Sequence, residues 1–313
     1  MEIIEIKHPY KEGEIVAEEI VLILGYFDGI HIAHQHLIKE GIRIGRERNL
    51  KVALMTFNRR PKIIYEKIPE GDYDNLTQFK QKVRHLENLG IDILYKVFFN
   101  SEFGNISPED FVEHYIVKWN AKVVVAGYDY TYGKPELASI NHLPLHAKGR
   151  FEVIKIGEEK KAGKTISSTQ IRNYIKAGKM EEANQMLGYF YETLGFVIRG
   201  DARGRELGYP TANIYSHPYT LLPKNGIYAV YFIVKGERYS GMASIGYNVT
   251  FKDEKKLSVE VNIFDFDDQI YGDDVKIEWV SYLRSEKKFH SKEELIEQLN
   301  KDERNSREIL ENK

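Results

Sequence analysis

Leu22-Ile23-Leu24-Gly25-Tyr26-Phe27-Asp28-Gly29-Ile30-His31-Ile32-Ala33-His34 decides the fold of the first half of this chain. From Val21 its apolar opening is too short for a helix and reads as a strand buried on both faces, the pattern of a parallel sheet. Gly25 and Gly29 then predict a tight turn where backbone can approach a ligand and Asp28 has room to face it. Past the turn, Ala33 to Arg48 carries Leu37, Ile38, Ile42 and Ile44 at roughly helical spacing, predicting a helix packed on the strand. Such a sheet gathers its ligands beyond the carboxyl ends of its strands.

The same alternation runs on outward. Val52 to Phe57 predicts a second strand, Leu76 to Leu89 a helix ended by Gly90, Ile91 to Phe98 a third strand and Val123 to Ala126 a fourth. Ser107-Pro108-Glu109-Asp110 opens another helix, since Ser accepts from first-turn amides, Pro suits the first helical position and the acids oppose the dipole. After Ile175 the pattern changes. Lys179 to Leu187 predicts a short polar connecting helix, and alternation over Thr193 to Ile198, Ile227 to Val234, Tyr239 to Ile245, Leu257 to Phe264 and Val275 to Tyr282 predicts five or six antiparallel strands forming a small β-barrel. Ser291 with Glu294 makes a capping box for a C-terminal helix whose Leu295, Ile296 and Leu299 share one face. At 313 residues two domains are expected, placed at 1–184 and 185–313.

A net charge of -2 with 42% hydrophobic residues gives no general attraction to nucleic acid. The absence of cysteine excludes disulfides, thiolate metal sites and cysteine nucleophiles, and fits a reducing compartment. No basic-then-apolar leader opens the chain, and no apolar run approaches the roughly 20 residues that span a bilayer. The expectation is a cytoplasmic protein acting on small molecules, without nucleic-acid or membrane partners.

His31 and His34 sit three apart at a helix start, so both imidazoles point the same way from its positive end and suit charge developing on a phosphate during in-line attack. Taken alone, the pair is as simply read as a helix cap and a packing residue. Ser167, Ser168 and Thr169 open a further helix carrying Arg172, so amides, hydroxyls and a guanidinium can converge on phosphate oxygens. A second cluster follows far downstream. Gly200-Asp201-Ala202-Arg203-Gly204-Arg205 is a flexible basic loop, and Pro210-Thr211-Ala212-Asn213 offers neutral oxygens to a Mg2+ that already bridges nucleotide phosphates. Glu260, between Val259 and Val261 on a strand, either points into the barrel as a base for an attacking hydroxyl or faces water, as alternation alone favours.

His31-x-x-His34 and Ser167-Ser168-Thr169-x-Ile171-Arg172 resemble nucleotidyltransferases that move AMP from ATP to a phosphorylated acceptor. With Gly127-Tyr128-Asp129-Tyr130-Thr131-Tyr132-Gly133, the Gly200–Asn213 cluster, Gly226-Ile227-Tyr228-Ala229, Ser258-Val259-Glu260-Val261 and Tyr271-Gly272, the whole chain resembles the bacterial bifunctional riboflavin kinases/FAD synthetases. The resemblance implies an α/β nucleotidyltransferase domain with a Rossmann-like parallel sheet, then a riboflavin kinase barrel. It implies that Glu260 is the base for the ribityl hydroxyl, that Thr211 and Asn213 hold Mg2+ and phosphate, and that Gly200, Arg203, Gly204, Arg205 and Pro210 line the nucleotide. In the first domain it implies ATP contacts from Gly25, Phe27, Asp28, Gly29, His31, His34, Ser167, Ser168, Thr169 and Arg172, with Asp129 near the flavin or the nucleotide. ATP, riboflavin, FMN and FAD are then substrates and products.

The chain departs from the family at Tyr26, Ala33, Asn58-Arg59-Arg60-Pro61 and Gln170, and at Asn248-Val249-Thr250-Phe251 in the second half. Ala33 costs something only where backbone at that position needs positive φ or nears the nucleotide. Two readings compete with the two-step enzyme: a kinase with a weak or redirected transferase, and a flavin-binding regulator without turnover.

Overall fold

A computed structural model gives the fold, describing residues 1–69, 73–161, 163–200, 203–247 and 257–313. Asp201, Ala202, the 248–251 departure and the side chains of Arg203 and Arg205 lie outside the described residues. The chain packs as two compact units, Met1–Tyr73 with Thr77–Ser167, and Asp74–Leu76 with Ser168–Lys313.

The first unit contains β1 (Glu2–Ile6), β2 (Ile20–Leu24), α1 (Ile32–Arg48), β3 (Lys51–Phe57), α2 (Lys62–Tyr65), α3 (Phe79–Leu89), β4 (Ile93–Val97), α4 (Ser101–Gly104), α5 (Pro108–Val112), β5 (Ala121–Gly127), α6 (Leu143–Ala147), β6 (Glu152–Ile156) and the hairpin β7 (Lys160–Lys161) and β8 (Lys164–Thr165). Strands β1 to β6 form one parallel sheet in the order β1-β4-β3-β2-β5-β6. The order reverses between β2 and β5, the position where sheets of this kind open a crevice at their carboxyl ends. Both strands are followed by motif residues.

Every residue of β2 is buried, as the continuous apolar run requires. Ile20, Leu22 and Leu24 face a core with Phe111, Tyr115 and Trp119. Val21 and Ile23 face the other core, made with Leu37, Ile38 and Ile42 of α1. Each such side chain contributes on the order of 1.5–3 kcal/mol of burial, so a one-residue slip of β2 would exchange the two cores. The second helix begins at Phe79 rather than Leu76. Gln78 and Gln81 form its capping box, and Thr77 is engaged by the turn after β2.

The second unit contains α7 (Ser168–Ala177), α8 (Met180–Leu187), β9 (Tyr191–Ile198), α9 (Arg203–Glu206), β10 (Ala212–Ser216), β11 (Gly226–Val234), β12 (Glu237–Tyr247), β13 (Leu257–Ile263), β14 (Asp274–Arg284) and α10 (Lys292–Glu311). Its six strands close an antiparallel barrel in the order β10-β13-β12-β11-β14-β9. α8 buries Met180, Ala183, Met186 and Leu187, so it is a packed amphipathic helix and not only a polar connector. Helix α10 is capped by Ser291 as its sequence predicts, and its Leu310 joins Tyr231, Met242 and Val280 in a cluster on the barrel. Among the described residues no helix is long and apolar enough to cross a membrane.

Candidate active sites

In the first unit the turn after β2 is held in conformations that ordinary residues avoid. Phe27 (φ 54°) and Ile30 (φ 34°) flank Asp28 and Gly29, and Gly29 itself is at φ 87°. Positive φ at a bulky or β-branched residue costs of order 1–3 kcal/mol and persists only where the surroundings impose it. Here they do. The Phe27 ring occupies the space above Gly25, where a Cβ would lie 2.6 Å from its Cζ. Asp28, 4% exposed, accepts from the Thr77 amide at 3.2 Å, and the Gly29 amide donates to Thr77 Oγ1 at 3.0 Å. Ala33 lies within α1 and is not among the positive-φ residues, so its methyl brings no backbone strain.

His31 is the N-cap of α1, its Nδ1 accepting from the His34 amide at 3.3 Å, which leaves Nε2 to carry the proton of a neutral ring. The two imidazoles stack with centroids 3.6 Å apart. The plain cap reading and the functional reading of His31 therefore coexist in one residue. Burial pulls His31 down to about 4, against the opposing pull of Asp28. His34 is lowered well below the ordinary histidine value, first by burial and then by the charges of His31 and Lys82. Both rings are thus neutral near pH 7. Because the unfolded His31 titrates near 6.5 and the folded one near 4, its stabilising contribution is complete above 6.5 and is lost as pH falls through 4. This predicts about 3 kcal/mol less stability at the acid end from His31 alone. Urea titrations of wild type and His31→Gln between pH 7 and 4 check it, the variant losing that part of the slope.

After β5, Asp129 is exposed, and its Oδ1 lies 3.1 Å from where a Cβ on Gly127 would be. The chain continues into Tyr130 and Tyr132, which with Phe57, Phe99, Phe103 and Phe111 line a cavity of about 90 Å³. Tyr132 Oη pairs with His146 Nδ1 at 2.7 Å. Ser167 ends the first unit, while Ser168, Thr169 and Arg172 lie on α7 in the second. The Arg172 guanidinium is buried and donates to the carbonyls of Ser168 (3.4 Å) and Asp74 (3.2 Å).

Sequence motifs did not mark Thr77, Thr56 or Lys82. Lys82 is buried under the same turn, donating to the Tyr26 carbonyl and to Thr56 Oγ1. Thr56 lies on β3, Lys82 on α3 and Thr77 just before the α3 cap, and a lysine within an amphipathic helix carries no local signal of burial.

The barrel assembles the second site by register. Asn213 on β10 lies opposite Glu260 on β13, and Glu260 lies opposite Ser244 on β12. Thr211 Oγ1 donates to Glu260 Oε2 at 3.3 Å. Glu260 is half-buried and lines a cavity of about 300 Å³ together with Tyr209, Met242, Phe289 and Leu299; its strand neighbours Val259 and Val261 are the buried ones, so the carboxylate faces this cavity rather than the barrel core. A second cavity of about 470 Å³ is lined by Pro210, Ala212, Phe266, Asp268 and Tyr271. Thr211 lines both. Asn262 Nδ2 donates to the Pro210 carbonyl at 2.7 Å and so fixes the strand entry beside Thr211.

Gly200 passes so close to Asn213 that a Cβ there would lie 2.1 Å from its Nδ2. The clash is with a movable amide, so Gly200→Ala is expected to leave thermal stability nearly unchanged.

The FAD synthetase family model matches residues 14–170, and the riboflavin kinase (flavokinase) model matches residues 187–310. The bifunctional riboflavin kinase/FMN adenylyltransferase of Listeria monocytogenes serovar 1/2a is 45% identical over 307 residues, 98% of each chain. That of Bacillus subtilis (strain 168) is 39% identical over 304 residues, 96% of each chain. A solved structure from Streptococcus pneumoniae, named as a macrolide-efflux protein, matches with a TM-score of 0.90 at 37% identity, covering 97% of this chain and 99% of that one.

Proposed function

The chain belongs to the bifunctional riboflavin kinase/FMN adenylyltransferase family, and from that premise we propose how its residues divide the two activities. It phosphorylates riboflavin to FMN and transfers AMP from ATP to FMN, giving FAD and pyrophosphate. The transferase module spans 1–184 and the kinase module 185–313, a boundary supported by family matches that stop at 170 and resume at 187.

The observation carrying the kinase assignment is that Thr211 lines two cavities while touching Glu260. Riboflavin occupies the one bearing Glu260, and ATP the one bearing Pro210 and Ala212. The ribityl hydroxyl then gives its proton to Glu260 as its oxygen bonds to the γ-phosphorus and ADP leaves. Thr211 and Asn213, two apart and therefore on one face of the strand line, offer neutral oxygens beside a carboxylate. That set fits a Mg2+ bound mainly by nucleotide phosphates, and when bound it supplies neutralisation of charge on the bridging oxygens. Gly200 and Gly204 let backbone approach this site, and Arg203 and Arg205, on the helical turn α9 rather than in the flexible loop expected from sequence, are assigned to the nucleotide phosphates.

In the transferase module, Gly25, Phe27, Asp28 and Gly29 shape the ATP turn, and His31 and His34 stabilise charge on the α-phosphate. Ser167, Ser168, Thr169 and Arg172 have phosphate-binding roles, and Asp129 with the neighbouring aromatic rings receives flavin. ATP, riboflavin and FMN are the partners, and the cysteine-free composition supports a cytoplasmic enzyme. Chromatography of reactions started from riboflavin and, separately, from FMN tests the assignment. FAD from both is expected. FMN without FAD would instead favour a kinase with an impaired transferase, through Gln170 or Tyr26.

A further inference from the structure

A buried ammonium lies where β2 and β3 end. Lys82, on α3, is 4% exposed, and its Nζ donates to the Tyr26 carbonyl at 2.6 Å and to Thr56 Oγ1 at 3.0 Å. Thr56 Oγ1 donates in turn to the same carbonyl at 2.8 Å, closing a triangle of hydrogen bonds. The Tyr26 ring covers the ammonium, with its centroid 4.4 Å from Nζ.

Its hydrogen-bond partners are neutral oxygens rather than a carboxylate. Desolvating an ammonium costs several kcal/mol, and apolar residues commonly replace buried charges without loss of stability. Scaffolding alone therefore does not explain the residue. The charged and titratable groups facing it are Asp28 in the turn after β2 and His34 on α1, with His31 stacked on His34; β3 presents only the neutral Thr56.

We propose that Lys82 is a positioning residue of adenylyl transfer: its ammonium locks the ends of β2 and β3 together beneath the Asp28–Gly29 turn and keeps a fixed positive charge beside a neutral His34 for the phosphates of ATP. The inference rests on the reading of that turn as the ATP site. In the transfer, an FMN phosphate oxygen bonds to the α-phosphorus as the bond to pyrophosphate breaks. The negative charge passing through the site gives a preorganised cation its value.

Burial draws the Lys82 ammonium down to about 8, with Asp28 opposing. As pH rises through that value the free enzyme loses the charge, so kcat/KM for FMN adenylylation falls on the alkaline side. Substrate phosphates are already ionised there, their second pKa being about 6.

The test compares wild type, Lys82→Met and Lys82→Arg with FMN, ATP and magnesium, using riboflavin phosphorylation by the same preparations to show an intact second unit and thermal unfolding followed by circular dichroism to show a folded first unit. Lys82→Met is expected to lose roughly tenfold to hundredfold in kcat with KM for FMN within about threefold, as for loss of a preorganised electrostatic group. It is also expected to lose the alkaline limb. Lys82→Arg is expected to recover part of the rate and carry the limb beyond about pH 10, because guanidinium stays protonated. A kcat for Lys82→Met within about twofold of wild type, or an alkaline limb unchanged in both variants, overturns the proposal. Should Lys82→Arg fail to fold, the rate and pH profile of Lys82→Met decide alone. His31→Ala separates the premises: if it too leaves FAD formation intact, the ATP-site reading fails. If only Lys82→Met is silent, Lys82 alone is excluded.

Discussion

Glu260→Gln is expected to abolish riboflavin phosphorylation, lowering kcat by roughly 10²–10⁴, the usual worth of a positioned general base, while FMN supplied directly is still converted to FAD. Glutamine keeps the volume of the side chain and can still accept from Thr211, whose hydroxyl is 3.3 Å from the carboxylate. What it cannot do is take the ribityl proton. Packing in the barrel is preserved because the neighbours Val259 and Val261, which are buried, are untouched. Riboflavin binding should therefore persist, visible as quenching of flavin fluorescence. Chromatography after incubation with riboflavin, ATP and magnesium gives the readout. A variant that makes FMN at the wild-type rate would remove Glu260 from the chemistry, and a wild type that binds riboflavin without making FMN would favour the regulator reading.

His31→Ala is expected to give the opposite dissection, FMN accumulating from riboflavin while FAD formation falls by roughly 10²–10³, the loss typical of a preorganised donor at developing charge. Two effects add. The N-cap of α1 disappears as the His34 amide loses its acceptor, His31 Nδ1, costing about 0.5–2 kcal/mol of local stability. The ring stacked on His34 also goes, so both imidazoles are disturbed. Kinase turnover in the same sample shows that the second unit is folded, and thermal unfolding followed by circular dichroism checks the first. His31→Asn separates the terms, since asparagine restores the cap but not the imidazole. Recovery of FAD synthesis by His31→Asn would reduce His31 to a structural cap.

The alternation of strand and helix was legible because β2 is buried on both faces and so needs an unbroken apolar run. The barrel was legible because strands such as β13 and β14 alternate buried with less buried residues, although β11 is buried on both faces through its middle. β1 and β10 were not expected as strands: Glu2 and Glu5 interrupt the first, and β10 is five residues long with only Ile214 buried. The histidine pair and Thr211–Asn213 were legible as candidates, because each lies within one short segment. Lys82, Thr56 and Thr77 were not, since their meaning arises only when β3 and the start of α3 converge on Tyr26, Asp28 and Gly29.

By itself the sequence determined the two-module plan and the family, because hydrophobic period and short-range motif spacing act locally along the chain. Tertiary structure alone decided that Asn213 and Glu260 stand opposite each other across 47 residues of sequence, that Thr211 borders two cavities, and that an amphipathic-helix lysine becomes a buried cation. Those outcomes depend on sheet order, barrel register and desolvation, which are properties of surfaces brought together and are written in no single segment.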